Sequence, residues 1–192
     1  MRLYYNATSP YARKVRVVLH EKGLFDQVEQ RLADPWTDAP ELHAAAPVGK
    51  VPALVTDDGL TLSESTTIAE YLDSLPTGRS LIGDDRWPVM ARASLGQGLI
   101  DASFAILIEG RRPEERRWPE AVARHRRAIE RIIGTAEAEV GRFDFGDIAL
   151  ACGLAYMDFR VPDMPWRKAR PDLAAWLDEA NKRPSMQATK PA

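Results

Sequence analysis

Three short segments hold the residues whose types and spacing could do chemistry. Thr8-Ser9-Pro10-Tyr11-Ala12-Arg13-Lys14-Val15 carries two hydroxyls where a strand pattern gives way to a helix pattern. Val48-Gly49-Lys50-Val51-Pro52-Ala53-Leu54 turns through a glycine, passes a lysine and enters a short apolar strand at a proline. Leu62-Ser63-Glu64-Ser65-Thr66-Thr67-Ile68-Ala69 sets an acid and a hydroxyl at the start of a second helix. A helix N-terminus presents unpaired N–H groups and positive partial charge, so it favours an anion. A hydroxyl placed there can donate to a thiolate. A free thiol titrates near 8.5, and lowering that by about two units makes it mostly thiolate at neutral pH. Ser65 with its N–H could hold a carboxylate while Glu64 holds an ammonium, which is a receptor for a zwitterion. Lys50 adds a positive charge for a further carboxylate. The segments describe a site for a small, anionic, peptide-like ligand beside a hydroxyl. Each also has a plainer reading: Ser9 and Ser65 suit helix caps, Lys50 suits a solvated surface, and Pro52 suits the start of a strand.

The elements that must position these residues alternate. Arg2-Leu3-Tyr4-Tyr5-Asn6 is a short β-like run, and Pro10 fits the first turn of a helix, where a missing N–H is harmless. Val15, Val18, Leu19 and Lys22 recur at helical spacing, with Gly23 as a stop signal. Gln27 to Leu32 reads as a second strand and Pro40 to Ala46 as a short helix or turn. Ala53-Leu54-Val55-Thr56 and Leu60-Thr61-Leu62 flank Asp57-Asp58-Gly59, a hairpin whose Asp-Gly favours positive φ. Ser65 to Leu75 is a helix. After the turn-rich stretch that begins at Pro76 the pattern is helical, with helices predicted over Pro88 to Arg111, Pro119 to Val140, Asp144 to Arg160 and Pro171 to Lys182. The reading is therefore an α/β domain over 1–75, a linker over 76–86 and an all-helical domain over 87–192.

Composition narrows the function classes. A net charge of −2 gives no global field to draw nucleic acid or an acidic membrane. The arginine-rich stretch from Arg111 to Arg131 is interleaved with Glu114, Glu115, Glu120 and Glu130, which suits a solvated helical face. Cys152 is the single cysteine, so no intrachain disulfide or cysteine-rich metal site is expected, and His20, His43 and His125 lack metal-ligand spacing. No apolar run reaches the ~20 residues that span a bilayer, and Met1-Arg2 leads at once into a strand pattern. A soluble, cytoplasmic protein is the expectation, with neither nucleic acid nor membrane as partner. Asp144 and Asp147 form a capping-box-like pair before an apolar helix, a folding feature, and Cys152 falls inside that helix as a small buried residue.

The three segments, in this order and at this spacing, resemble the glutathione transferase family. The resemblance runs from Arg2 to the Arg183-Pro184-Ser185 region and is strongest before Leu75. The chain is similar to bacterial members with Ser-Pro-Tyr or Ser-Pro-Phe at the junction and an Asp-Ile-Ala-Leu-Ala helix, here Asp147 to Ala151. It implies a thioredoxin-like N-terminal domain, β-α-β-α-β-β-α, followed by a helical-bundle C-terminal domain. It also implies glutathione as cosubstrate, no metal, and a homodimer. Ser9 would stabilise the glutathione thiolate, with Thr8 as the alternative if the alignment shifts at Pro10. Pro52 would be cis, and the Val51 backbone would pair with the tripeptide as a strand does. Lys50 would meet the glycyl carboxylate, and Glu64 with Ser65 would hold the γ-glutamyl end. A small apolar electrophile would lie against Tyr11, Phe104, Ile108, Arg111 and Trp166. The implied activity is glutathione S-transfer with detoxification as its purpose. The alternatives are an interaction protein of this fold without turnover, or ether cleavage or dehalogenation by the same thiolate.

Overall fold

A computed structural model describes residues 1–136 and 142–191. The first part of the chain forms β1 (Arg2–Tyr5), α1 (Pro10–Glu21), β2 (Glu29–Leu32), α2 (Pro40–Ala45), β3 (Ala53–Val55), β4 (Thr61–Ser63) and α3 (Ser65–Ser74). The strands make one sheet in the order β2-β1-β3-β4. β1 pairs parallel to β2 and antiparallel to β3, and β3 pairs antiparallel to β4. This is the expected thioredoxin-like arrangement. Alternation along the strands divides the core in two. Tyr4 and Ala53 pack with Leu42, Ala45, Ala46 and Val51 on the α2 side. Leu3 and Leu54 are fully buried toward the opposite face, where α1 and α3 pack on each other through residues such as Leu19, Ile68 and Leu72.

The rest of the chain is helical: α4 (Arg86–Gly110), a 3-10 turn (Glu114–Arg116), α5 (Pro119–Thr135), α6 (Phe145–Arg160), α7 (Trp166–Ala169), α8 (Pro171–Ala180) and α9 (Pro184–Ala188). Residues 137–140 of the helix predicted to reach Val140 lie outside the described residues. α6 starts with a full capping box: Asp147 N–H donates to Asp144 Oδ1 at 3.1 Å and Asp144 N–H donates back to Asp147 Oδ2 at 3.2 Å. Arg92 pairs with the Asp144 carboxylate from α4. Glycines let the two helices approach closely, for a Cβ on Gly96 would lie 2.3 Å from the Ala149 carbonyl carbon. Cys152 is buried in α6 and forms no disulfide.

The chain divides into two compact units, Met1–Gly83 with Arg183–Ala192, and Asp84–Lys182. The sequence reading keeps residues after 182 in the helical part; the structure packs the segment through 191 with the first unit instead. A long-range charge pairing does this. Arg183 donates to both Glu21 carboxylate oxygens at 3.1 and 2.9 Å, Ser185 Oγ donates to the same carboxylate at 2.6 Å, and buried Arg13 donates to the Met186 carbonyl at 3.2 Å. The stretch read as a linker over 76–86 is also held at its start. Asp73 accepts from the Ser80 hydroxyl and the Leu81 and Ile82 N–H groups, while buried Lys22 donates to the carbonyls of Asp73, Leu75 and Arg79.

Candidate active site

The sheet register brings the three chemistry-bearing segments to one end of the first unit. Tyr4 pairs with Ala53, and Ala53 pairs with Ser63. The exit of β1 toward Ser9, the entry of β3 at Val51-Pro52 and the exit of β4 toward Glu64-Ser65 therefore share the same edge. Adjacent strands lie about 4.8 Å apart, so β1 to β4 spans roughly 10 Å at that edge, which matches the reach of an extended tripeptide.

The loop between β1 and α1 separates the two candidate hydroxyls. Thr8 is committed: its N–H and its Oγ1 both donate to Asn6 Oδ1, at 3.0 and 2.9 Å. Ser9 is the N-cap of α1, and its Oγ accepts the Ala12 N–H at 3.2 Å. Among the described residues no acceptor takes the Ser9 hydroxyl proton, so Ser9 alone of the pair keeps a proton to donate outward. Asn6, which the sequence reading passed over, is what draws this distinction; its signal is an Asx-turn residue two before a Thr.

The Val51–Pro52 bond is cis. Val51 is 8% exposed, and its backbone N–H and C=O make no hydrogen bond among the described residues. A nearly buried, unpaired peptide group next to a sheet is a place for an added strand. Lys50 beside it is exposed and makes no ion pair among the described residues. Gly49, at φ +62°, turns the chain into this segment, and a Cβ there would lie 3.3 Å from His43 Nε2.

Glu64 does more than the sequence suggests. It sits at φ 77°, the left-handed region that costs a non-glycine residue about 1–3 kcal/mol and that clusters at functional sites. From there its carboxylate folds over the start of α3, taking the Thr66 and Thr67 N–H groups at 3.0 Å and the Ser65 hydroxyl at 3.2 Å. Burial alone would raise its pKa, but the Thr66 and Thr67 amides, the charge of Lys14 and the Ser65 hydroxyl outweigh it and hold the group below the usual carboxylate range. Glu64 is thus the α3 N-cap as well as the site's fixed negative charge. Ser65 is 2% exposed, and its N–H stays unengaged among the described residues. Lys14, 1% exposed on α1, donates from Nζ to Thr66 Oγ1 at 3.2 Å and so ties α1 to the α3 N-terminus. The sequence reading missed Lys14; its signal is a lysine next to Val15 on the apolar face of α1.

The residues expected to meet an electrophile divide differently. Phe104, Ile108 and Arg111 fall at i, i+4 and i+7 along α4 and its C-cap, the first two half-buried and Arg111 exposed. Trp166 is 5% exposed, with its indole N–H donated to Asp158 at 2.8 Å, so most of that ring is interior. Tyr11 is half-buried in the first turn of α1, in the other unit. Among the described residues no group of three or more His, Cys, Asp or Glu side chains could hold a metal ion.

Family models for the glutathione S-transferase N-terminal domain and C-terminal domain match residues 8–75 and 119–179. The chain belongs to the glutathione S-transferase family. A glutathione transferase family member from Pseudomonas fluorescens Pf-5, solved with bound glutathione, is similar over the full length: 39% identity, TM-score 0.93, all of this chain and 98% of that one. A second structure from that organism carries bound S-(propanoic acid)-glutathione, with 39% identity, TM-score 0.89 and complete coverage of both chains. The uncharacterized GST-like protein YibF of Escherichia coli K12 is 28% identical over all of this chain and 98% of its own length. The family membership agrees with the thioredoxin-like first unit and the helical second one. No helix among the described residues is long and apolar enough to cross a membrane.

Proposed function

We propose that the chain binds glutathione at the shared edge of its sheet and conjugates the glutathione thiolate to an apolar electrophile. The observation that carries this is the uncommitted hydroxyl proton of Ser9 at the α1 N-terminus, on the same edge as the unpaired Val51 backbone and the free Ser65 N–H. The Ser65 N–H and the α3 N-terminus take the γ-glutamyl carboxylate, and the Glu64 charge attracts the α-amino group. Val51 pairs with the cysteinyl backbone, Lys50 meets the glycyl carboxylate, and Ser9 donates to the thiolate. Thr8 holds the loop through Asn6. The protein's contribution is binding, orientation and stabilisation of the thiolate before it attacks. An apolar electrophile is met by Phe104 and Ile108 on α4, with only the rim of Trp166 offered from the same unit. Ether cleavage and dehalogenation would use the same thiolate and differ only in the second substrate.

The domain division proposed is an N-terminal glutathione-binding domain that also holds the returning C-terminal segment, and a helical domain from about Asp84. The assembly proposed is a homodimer, in which the 75% exposed Trp87 at the start of α4, with Met90 and Leu95 partly exposed, is covered. The compartment proposed is the cytoplasm, where glutathione is kept reduced, and the physiological purpose is detoxification. Calorimetric titration with glutathione beside a panel of electrophiles tests the reading. Binding with turnover supports it. Absence of glutathione binding would instead favour an interaction protein of this fold, and light scattering that finds only a 21.4 kDa particle at micromolar concentration would remove the dimer.

A further inference from the structure

α4 and α6 run in the same direction where they touch. A Cβ on Gly146 would lie 2.8 Å from the Val89 carbonyl oxygen, one on Gly96 2.3 Å from the Ala149 carbonyl carbon, and one on Gly153 3.0 Å from Leu99 Cβ. The contact advances along both helices together, and the rise per residue is the same in each. On that register Phe104 in the last turns of α4 stands level with the Tyr156 to Arg160 stretch of α6, and Ile108 lies just beyond it. Phe159 adds a 40% exposed ring there.

Arg160 is unusual in this setting. Its guanidinium stacks on the Phe159 ring at 3.9 Å and its charge acts on the buried Tyr156 hydroxyl, yet its Nε is buried with no hydrogen-bond partner. No carboxylate among the described residues pairs with it, because the acids at this end are taken. Glu109 holds Arg112 at 3.1 Å and the Trp118 N–H at 2.7 Å. Asp158 holds Arg167 and the Trp166 indole, and Asp163 holds Arg126. Arg111, the α4 C-cap, adds a second positive charge that also acts on Tyr156. Burial raises the Tyr156 hydroxyl above its ordinary value even though both arginines pull it down, so Tyr156 stays neutral beside them. The buried, undonated N–H of Arg160 beside half-exposed apolar side chains suits a molecule with an apolar body and an anionic head.

We infer that this end of the helical unit is a carboxylate receptor, with Arg160 as its main ligand and Arg111 as its second, and that the electrophile is an apolar compound bearing a carboxylate. The substrate class rests on the transferase reading; the anion site is a property of the helical unit alone. With an aryl chloride of this class the thiol proton goes to solvent, the sulfur–carbon bond forms, and the carbon–chlorine bond breaks with its electron pair leaving on chloride.

The test uses para-chloro-meta-nitrobenzoate and the matching benzamide, which share ring and leaving group and differ in charge. The wild type is expected to favour the acid, and Arg160→Ala to lower the acid-to-amide ratio of kcat/KM by about tenfold to a hundredfold, the range of charge-assisted hydrogen bonds. Arg160→Lys keeps the charge without the fork and should fall between. Arg111→Ala, at an exposed position, should move the ratio the same way by less, which keeps the test open if Arg160→Ala fails to fold. A second arm titrates acid and amide into glutathione-free protein by calorimetry. Acid binding that Arg160→Ala abolishes supports the receptor even where no turnover is found, which separates its failure from that of the transferase reading. An unchanged acid-to-amide ratio in both alanine variants, or equal weak binding of acid and amide to the wild type, overturns it.

Discussion

Replacing Ser9 with Ala removes two interactions that can be measured apart. The first is the N-cap: Ser9 Oγ accepts the Ala12 N–H, and its loss costs about 0.5–2 kcal/mol of stability. At about 2–4 °C per kcal/mol for a chain of this size, the melting temperature should fall by several degrees at most. The second is the hydrogen bond to the thiolate. A charge-assisted bond contributes about 1.5–3 kcal/mol, which corresponds to roughly one to two pKa units on the bound thiol. A thiol at about 6.5 is mostly thiolate at pH 7, whereas one at 8.5 is only about 3% thiolate. Turnover at neutral pH should drop about tenfold to a hundredfold and partly recover as pH rises. Ground-state affinity for glutathione should change little, because Ser65, Val51 and Lys50 hold the ends of the tripeptide. The assay is the ultraviolet thiolate absorbance of the glutathione complex against pH, run beside kcat/KM. Thr8→Val is the matched control: its hydroxyl is already spent on Asn6, so it should lose loop stability without moving the thiol titration. A titration that moves in Thr8→Val and stays fixed in Ser9→Ala refutes the assignment. One that stays fixed in both variants leaves the helix N-terminus and backbone as sufficient.

Glutathione at a hundredfold excess over Kd should stabilise the protein by about 2.7 kcal/mol, and Ser65→Ala should lose part of that gain. Glu64→Ala should lower both the ligand gain and the baseline melting temperature, since the carboxylate also caps α3; an unmoved baseline in thermal unfolding would contradict the capping role. Glu21 and Glu64 both have folded pKa values held below their ordinary ones, in each case against burial, Glu21 by Arg183, Ser185 and Arg79. Their contribution to stability is therefore full above the unfolded carboxylate pKa, near 4.3, and is lost as pH falls through the lower folded values. Denaturant unfolding should show stability dropping in that acid window, and Glu21→Gln should flatten the drop. Gly96→Ala would drive a methyl into the Ala149 backbone and should destabilise by about 1–3 kcal/mol or more; an unchanged melting temperature would refute the close α4–α6 approach.

Much of the fold was legible because its signals are local. Pro10, Pro40, Pro119 and Pro171 all open helices, Asp57-Asp58-Gly59 turns the β3–β4 hairpin, and the Asp144–Asp147 box starts α6. The short α7 and α9 escaped, because four or five residues carry too little periodicity to stand out. The candidate site was legible as three segments in order, since caps and prolines mark their own positions. Its internal division of labour was not. In sequence Ser9 is preferred to Thr8 only through the alignment at Pro10, and the Asn6 side chain folding back onto Thr8 adds a physical difference between them. Trp166 reads as a lining aromatic in sequence, whereas the folded chain leaves it 5% exposed with its N–H donated to Asp158.

The sequence by itself determined the order of strands and helices, the places where helices begin, and the residue types offered to a thiol peptide. These follow from backbone preferences that act over a few residues. Tertiary structure decided the rest, because each remaining point depends on a partner far along the chain. The register Tyr4–Ala53–Ser63 puts the three segments on one edge. Lys14 reaches across 52 positions to Thr66, and Arg183 reaches across 162 to Glu21, so that the end of the chain packs with its beginning. Arg160 became distinctive only once Glu109, Asp158 and Asp163 were seen paired elsewhere, with no carboxylate on Arg160 among the described residues. A charge is defined by what pairs with it, and that pairing is set by packing.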